Sequence, residues 1–209
     1  MRIQLKMKTI LVLISLFALY CSQRMEFENF KNLLKDSFLE VKHLTNQCLV
    51  MDTSSSIYFK TEDLVKFTKV AGTDGNWTTL RTVYPVQDNI VTTVQMQVLQ
   101  TKYGSIRFGL LSKPDNIAGG IGILPNSWAY DFSSGSKYLS GGSAIQYGSP
   151  GSLMDEITIK IDLTETGTLE YLKNGDSMGI AFSGLKQAGS LYFAFSVAYS
   201  TDVVTFTGC

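Results

Sequence analysis

Runs of strand-forming residues with a two-residue period, separated by short turn sequences, occupy most of the chain after Cys48. Residues 90–99 and 157–163 alternate apolar with polar side chains, which is typical of strands that bury one face. The clearest turn is Asn174-Gly175, which separates the strand-forming runs 168–173 and 178–182. Asn-Gly is favoured between paired strands because both central turn positions need a positive φ. The pattern therefore predicts an antiparallel hairpin at this point.

Further turn sequences, rich in Gly, Ser, Asn and Asp, punctuate the same part of the chain at 54–56, 72–76, 113–116 and 141–143. The last strand-forming runs are 191–198 and 203–206. Many short strands with turns between them predict a sandwich of antiparallel sheets. The length of 209 residues fits one such domain with an appendage, and no internal repeat is visible.

The first 22 residues have the pattern of a secretory signal peptide. Three basic residues within positions 1–8 precede an apolar run at 10–20, and Cys21 and Ser22 follow it. The apolar run is shorter than the roughly 20 residues that a membrane-spanning helix needs. We therefore expect a secreted or lumenal protein. An uncleaved signal-anchor, which would attach the chain to a membrane, and an ordinary buried segment are the alternatives.

Two features agree with the secretory route. Asn76-Trp77-Thr78 is an N-glycosylation sequon. Of the three cysteines, Cys21 lies at the expected cleavage site, which leaves Cys48 and Cys209 as an even pair. Cys48 and Cys209 either form a disulfide that joins the two ends of the domain or are two unrelated free thiols.

Residues 25–46 are predicted to form an amphipathic helix. Apolar side chains recur there at steps of three and four, at positions 27, 30, 34, 38, 41 and 44. The stripe is too short for a coiled coil by itself. It indicates either a helix docked on the domain or a short helix for oligomerisation or partner binding.

The residue inventory argues against catalysis, metal binding and nucleic-acid binding. His43 is the only histidine, and no Cys-x-x-Cys or His-x-x-x-His pair occurs. The glycine-rich stretch 119–122 lacks the lysine of a phosphate-binding loop and lies in an apolar run typical of a strand. Eighteen basic residues balance eighteen acidic ones, so there is no overall attraction for phosphate. We therefore expect that the protein is not an enzyme and that it binds neither a metal ion nor a cofactor.

Three segments resemble the SPRY domain family in order and spacing. The first includes Ile161-Asp162-Leu163, the Lys173-Asn174-Gly175 turn and the Gly179-Ile180-Ala181-Phe182 exit. The second is Trp128-Ala129-Tyr130-Asp131, followed by Lys137-Tyr138. The third is Leu191-Tyr192 with Phe195-Ser196-Val197. The resemblance covers about residues 49–207 and implies a SPRY domain at 48–209, with the concanavalin-like jelly-roll sandwich of that family.

The resemblance also implies a non-catalytic module that binds a peptide or protein through loops at one edge of the sandwich. The loops implied are 81–84, 113–116 and 199–202, and they contain residue types that are frequent in binding hot spots or that can hold a peptide backbone. The candidate binding residues are Arg81, Tyr84, Asp115, Asn116 and Tyr199.

Two other functions remain open at this point. A lectin-like sandwich would bind sugar through an aromatic residue and a carboxylate, with Tyr130 and Asp131 as candidates. A structural subunit would assemble through the helix at 25–46. Trp77 and Trp128 are expected in the core or at its rim, because tryptophan is usually largely buried.

Overall fold

The computed structural model describes residues 51–52, 59–62, 66–70, 74–112 and 119–208. The predicted signal peptide at 1–22 and the predicted helix at 25–46 lie outside these residues. So do Cys48, Cys209, Asp115 and Asn116. The predictions made for these positions therefore stay predictions.

The described residues form an all-β sandwich of two antiparallel sheets. The first sheet has seven strands in the order β1-β2-β13-β4-β9-β10-β11. Their bounds are β1 Phe59–Glu62, β2 Lys66–Lys69, β4 Val91–Gln100, β9 Glu156–Asp162, β10 Thr168–Lys173, β11 Asp176–Ser183 and β13 Val203–Gly208.

The second sheet has six strands in the order β3-β12-β5-β6-β7-β8. Their bounds are β3 Thr78–Arg81, β5 Ile106–Leu111, β6 Ser127–Asp131, β7 Ser136–Leu139, β8 Ile145–Gln146 and β12 Tyr192–Val197. A single turn of 3₁₀-helix, Leu185–Ala188, precedes β12.

The core lies between the two sheets and is built from the alternating positions of the predicted strands. Val94, Met96 and Val98 on β4 are completely buried. The apolar positions of β9, residues 157, 159 and 161, pack beside them in the same cluster. The second sheet contributes large side chains to this cluster, among them Phe108, Tyr130, Phe193 and Phe195. The alternation of apolar and polar residues in the sequence thus reflects strands that bury one face in the core.

The hairpin prediction is confirmed. β10 pairs with β11 through a turn in which Asn174 has φ 53° and Gly175 has φ 88°. These left-handed values are those that a two-residue turn needs in order to match the twist of its strands.

The expectation for residues 119–122 is wrong, because this apolar run forms a turn and no strand. Ile121 covers the outer face of the second sheet, where it packs on Leu111, Ala129 and Ala194. Gly120 lies so close to the Trp77 ring that an added Cβ would be 2.9 Å from it. The glycines allow the chain to approach its own sheet, so the apolar residues here mark burial and not strand pairing.

Candidate partner-binding surfaces

Strand β12 separates the loops that were expected to share one edge. At its beginning, Tyr192 pairs with Leu111 and the neighbouring Ala194 pairs with Arg81. Tyr199 follows the other end of β12, five residues beyond Ala194, which is about 16 Å along a strand. The structure therefore places Arg81 and Tyr199 at opposite ends of the second sheet.

We call the residues at the first end the Arg81 surface: Asp52, Arg81, Tyr84 and Tyr192. The Arg81 guanidinium lies 5.3 Å from the centre of the Tyr192 ring. Its Nη2 atom is 3.1 Å from the Asp52 carboxylate, and Nη1 donates a hydrogen bond to the Thr82 carbonyl at 2.7 Å. A cation held over a ring and by a carboxylate has a fixed orientation.

The chain leaves the sheet directly after Arg81 and becomes exposed. Thr82 is buried and bridges to Met51, whereas Val83 is 41% exposed and Tyr84 is 68% exposed. Within the described part of the chain, the buried atoms Arg81 Nε and Thr82 Oγ1 have no hydrogen-bond partner.

We call the residues at the opposite end the Tyr199 surface: Asp74, Lys102, Tyr103, Tyr199 and Ser200. The rings of Tyr103 and Tyr199 lie edge to face with centroids 4.8 Å apart. The Lys102 ammonium is 5.5 Å from the centre of the Tyr103 ring and 5.6 Å from that of the Tyr199 ring. This surface is aromatic and carries a cation, but its charges are engaged with each other.

The Asp74 carboxylate contacts most of the polar groups of the Tyr199 surface. It accepts hydrogen bonds from the backbone nitrogen and the hydroxyl of Ser200, at 2.9 and 2.7 Å, and pairs with Lys102 at 3.2 Å. The hydroxyl bond from Ser200, its backbone bond and the Lys102 contact lower the pKa of Asp74 to about 2. The carboxylate is therefore ionised at physiological pH.

Two buried charged residues fix the loops beneath the Tyr199 surface. The ammonium of Lys69 donates to the carbonyls of Asn76 and Ala198 at 2.7 and 2.8 Å, and burial lowers its pKa. The Asp202 carboxylate accepts the backbone nitrogens of Lys102 and Tyr199, and burial raises its pKa. The loops are thus held by hydrogen bonds that one cation donates and one carboxylate accepts.

The predicted glycosylation residue, Asn76, is exposed in the loop before β3. Its carbonyl is held by Lys69, and the next residue, Trp77, packs against the Arg107 guanidinium with its ring centre 4.5 Å away. The side chain of Asn76 is accessible although its backbone is fixed.

The pair suggested for sugar binding is buried. Tyr130 is fully buried in the core, where it donates a hydrogen bond to the Ser149 carbonyl at 2.7 Å. Asp131 is 5% exposed and forms an ion pair with Arg107 at 2.9 Å. Its other oxygen accepts bonds from the loop residues Ser133 and Ser134. Neither side chain is available to a sugar, and both stabilise the second sheet.

Trp128 is partly buried and packs against the core, as expected, whereas Trp77 is partly buried against Arg107 and Gly120. The described residues contain no cluster of His, Cys, Asp or Glu that could hold a metal ion. In the same part of the chain, no helix has the length and apolar character needed to cross a bilayer.

Six members of these surfaces were not among the candidates named from the sequence: Asp52, Asp74, Lys102, Tyr103, Tyr192 and Ser200. Lys102 and Tyr103 follow β4, and they meet Tyr199 because β4 pairs with β13. Tyr192 was part of a family motif, but its contact with Arg81 depends on the pairing of β12 with β3. Local sequence carries no signal for either contact.

Comparisons with known proteins agree with this fold. The sequence profile described as the SPRY domain matches residues 93–209. No curated protein sequence matches the chain. A human SPRY domain has a TM-score of 0.62 and 18% identity, over 71% of this chain and 94% of that one.

Two further solved structures are similar. The SPRY domain of human HERC1 has a TM-score of 0.61 and 18% identity, over 76% of this chain and 94% of that chain. The PSpry domain of TRIM65 has a TM-score of 0.59 and 15% identity, over 82% of this chain and 98% of that chain. At these identities the likeness shows a shared fold.

SPRY domains are protein-interaction modules and are generally non-catalytic. The profile match covers more than half of the chain, and the strand order and core agree with it. The chain therefore belongs to the SPRY domain family.

Proposed function

We propose that this protein is a non-catalytic binding module that holds a peptide or protein segment at the Arg81 surface. The observation that carries the proposal is the position of the Arg81 guanidinium, fixed by Asp52 and the Tyr192 ring, three residues before the exposed Tyr84. Arginine and tyrosine are the residue types that most often dominate binding energy at protein interfaces.

The fixed guanidinium supports this choice of surface. Because the Arg81 side chain is already oriented, it would lose little conformational entropy when a partner binds. A guanidinium has five N–H donors, and the described partners, the Thr82 carbonyl and Asp52, are both met through its terminal nitrogens. A partner with a carboxylate or backbone carbonyl near an apolar or aromatic side chain fits this chemistry.

The Tyr199 surface is less suited to be the main site. Its polar groups are satisfied within the chain, since Asp74 binds Ser200 and Lys102, and Asp202 binds the backbone of Tyr199. A partner would have to break these contacts or use the tyrosine rings alone. We keep Tyr199 as a candidate for a separate contact at the opposite end of the sheet.

Asp115 and Asn116 stay in the proposal as candidate partner-binding residues. They lie outside the described residues, but β5 ends at Leu111, which pairs with Tyr192. The chain thus leaves β5 beside the ring that supports Arg81.

The test is affinity capture from the native source, followed by affinity measurement for each recovered partner. We expect Tyr84→Ala to weaken binding by about tenfold or more without changing stability, because the side chain is exposed. Tyr103→Ala is the matched control, since Tyr103 is 63% exposed at the other end. Loss of binding in Tyr103→Ala or Tyr199→Ala, with Tyr84→Ala unaffected, would contradict the proposed surface.

We also propose that the protein enters the secretory pathway and carries a glycan on Asn76. The exposed side chain of Asn76 supports this, because a sugar chain needs an accessible amide. Removal of N-glycans enzymatically should lower the mass of protein from its source, and Asn76→Gln should be insensitive to the same treatment. Native protein that starts at Met1 and carries no sugar would contradict the secretory route.

A further inference from the structure

The Asn174-Gly175 turn combines chemical reactivity with a structural role, and neither depends on the proposed binding function. It is the only Asn-Gly sequence in the chain. Both residues are exposed, and a Cβ built on Gly175 would have no heavy atom within 4 Å. The space beside the Gly175 Cα is therefore open.

The Asn174 side chain joins the hairpin to the loop before β9. Its Nδ2 atom donates a hydrogen bond to the Asp155 carboxylate at 2.8 Å, and its Oδ1 accepts one from the Glu156 backbone nitrogen at 2.9 Å. The Asn174 backbone nitrogen also donates to the Glu156 carbonyl. Three hydrogen bonds from one residue thus connect two segments of the first sheet.

We propose that Asn174 is a deamidation site and that its conversion loosens this corner of the sandwich. The Gly175 nitrogen attacks Cγ of Asn174, a cyclic imide forms, and the amide nitrogen leaves as ammonia. Water then adds to one of the two imide carbonyls and opens the ring. The product is aspartate or isoaspartate at position 174, and no reactant other than water is consumed.

The native contacts set the rate of this reaction. Attack requires the side chain to leave its two hydrogen bonds, so conversion proceeds through transient opening of the turn. Removal of the Asp155 acceptor should raise the open fraction, and with it the rate, by up to about tenfold.

The charges around the turn determine the consequence. After conversion, a carboxylate would stand where Nδ2 now contacts Asp155, and a hydrogen bond would become a repulsion between like charges. Glu156 and Asp176 add negative charge nearby in sequence, while Lys173 is 3.9 Å from Asp155 and also donates to the Pro150 carbonyl. One lysine does not compensate for the added charge.

The first experiment measures conversion directly. Full-length protein is incubated at neutral to mildly basic pH, and peptide mapping quantifies aspartate and isoaspartate at position 174. We expect slow conversion in the native chain, faster conversion in Asp155→Ala, and the fastest conversion in a free peptide of residues 168–183. No conversion in the native chain after the peptide has reacted completely would overturn the proposal, as would equal rates in Asp155→Ala and the unchanged protein.

The second experiment measures the consequence. Asn174→Asp should lower the melting temperature by about 3 °C at pH 7. The loss should shrink at acidic pH, where the carboxylates are neutral. The double variant Asp155→Asn with Asn174→Asp exchanges the amide and the carboxylate, and should recover the lost stability. An unchanged melting temperature in Asn174→Asp, or a double variant no more stable than it, would overturn the charge argument.

Discussion

Two carboxylates at the Tyr199 end have pKa values shifted in opposite directions, because one is exposed and the other is buried. Asp74 is stabilised as an anion by Ser200 and Lys102, which lowers its pKa to about 2. Asp202 is 1% exposed, and the loss of hydration raises its pKa although two backbone nitrogens donate to it. Residue type alone predicts neither shift.

The first prediction concerns the titration of Asp74. Its folded pKa lies below the ordinary value, so its contribution to stability is present above about pH 4 and is lost as the pH falls through about 2. Carboxyl NMR should give a midpoint of about 2 for Asp74. Ser200→Ala should move it back toward 3.8, because that variant removes the hydroxyl bond. A midpoint at or above 3.8 in the unchanged protein would mean that the Ser200 contacts do not form in solution.

At the scale of elements, the close pairing of β5 with β6 depends on a residue without a side chain. Gly109 lies opposite Ala129, and a Cβ built on it would be 1.9 Å from the Trp128 carbonyl oxygen. Neither backbone can move without breaking the pairing of the second sheet. A glycine is therefore needed at position 109 because the Trp128 backbone is too close for a side chain, and not because of its backbone angles.

We predict that Gly109→Ala lowers the free energy of unfolding by about 3 kcal/mol or more, through overpacking against backbone. Gly184→Ala is the control, because Gly184 has φ 78° and open space around it. That variant should cost only about 1 kcal/mol of left-handed strain. Urea unfolding measures both, and similar losses in the two variants would contradict the contact argument.

Strand β11 is an edge of its sheet, and its free carbonyls are covered by side chains from the other sheet. Lys137 donates to the Ala181 carbonyl at 2.6 Å, and the Tyr147 hydroxyl donates to the Gly179 carbonyl. An inward-pointing charge of this kind protects an edge strand from pairing with another chain.

Lys137→Met should therefore increase aggregation at equal concentration and cost about 1 kcal/mol of stability, because the Ala181 carbonyl loses its donor. Light scattering during heating measures the first effect. Lys160→Met is the control. Lys160 is half-exposed, lies on the sheet that contains β11, and pairs with Glu170. Equal aggregation of the two variants would show that loss of a positive charge, and not edge protection, is responsible.

Sequence predicted most readily the strands whose two faces differ in burial, although the run that forms the almost wholly buried β12 was also recognised from its strand-forming residues. β4, β9 and the β10–β11 hairpin were visible because their apolar positions alternate or flank a specific turn. β5 was not singled out, since all six of its residues are buried and no alternation marks it. Arg81 and Tyr84 were found by residue type, whereas the meeting of Tyr103 with Tyr199 depends on non-local pairing.

At the scale of the whole molecule, the first and last strands among the described residues lie close together in the first sheet. β13 is hydrogen-bonded to β2, and β2 to β1, whereas Met51, which is closer to Cys48 in sequence, bridges to Thr82 at the end of β3. A covalent link between the two ends of a domain restricts the unfolded chain more than the folded one. The cysteines that flank the domain, Cys48 and Cys209, are thus the residues whose pairing would matter most for overall stability.

We predict that Cys48 and Cys209 are disulfide-bonded in protein purified from its source. The link would close a loop of some 160 residues, and reduction should lower the free energy of unfolding by at most about 5 kcal/mol. Intact mass should increase by two hydrogens on reduction, and the Cys48→Ser, Cys209→Ser double variant should be insensitive to reductant. Two free thiols in the native protein would contradict the link. The sandwich would then depend on its core alone, and unfolding should be equally resistant to urea with and without reductant.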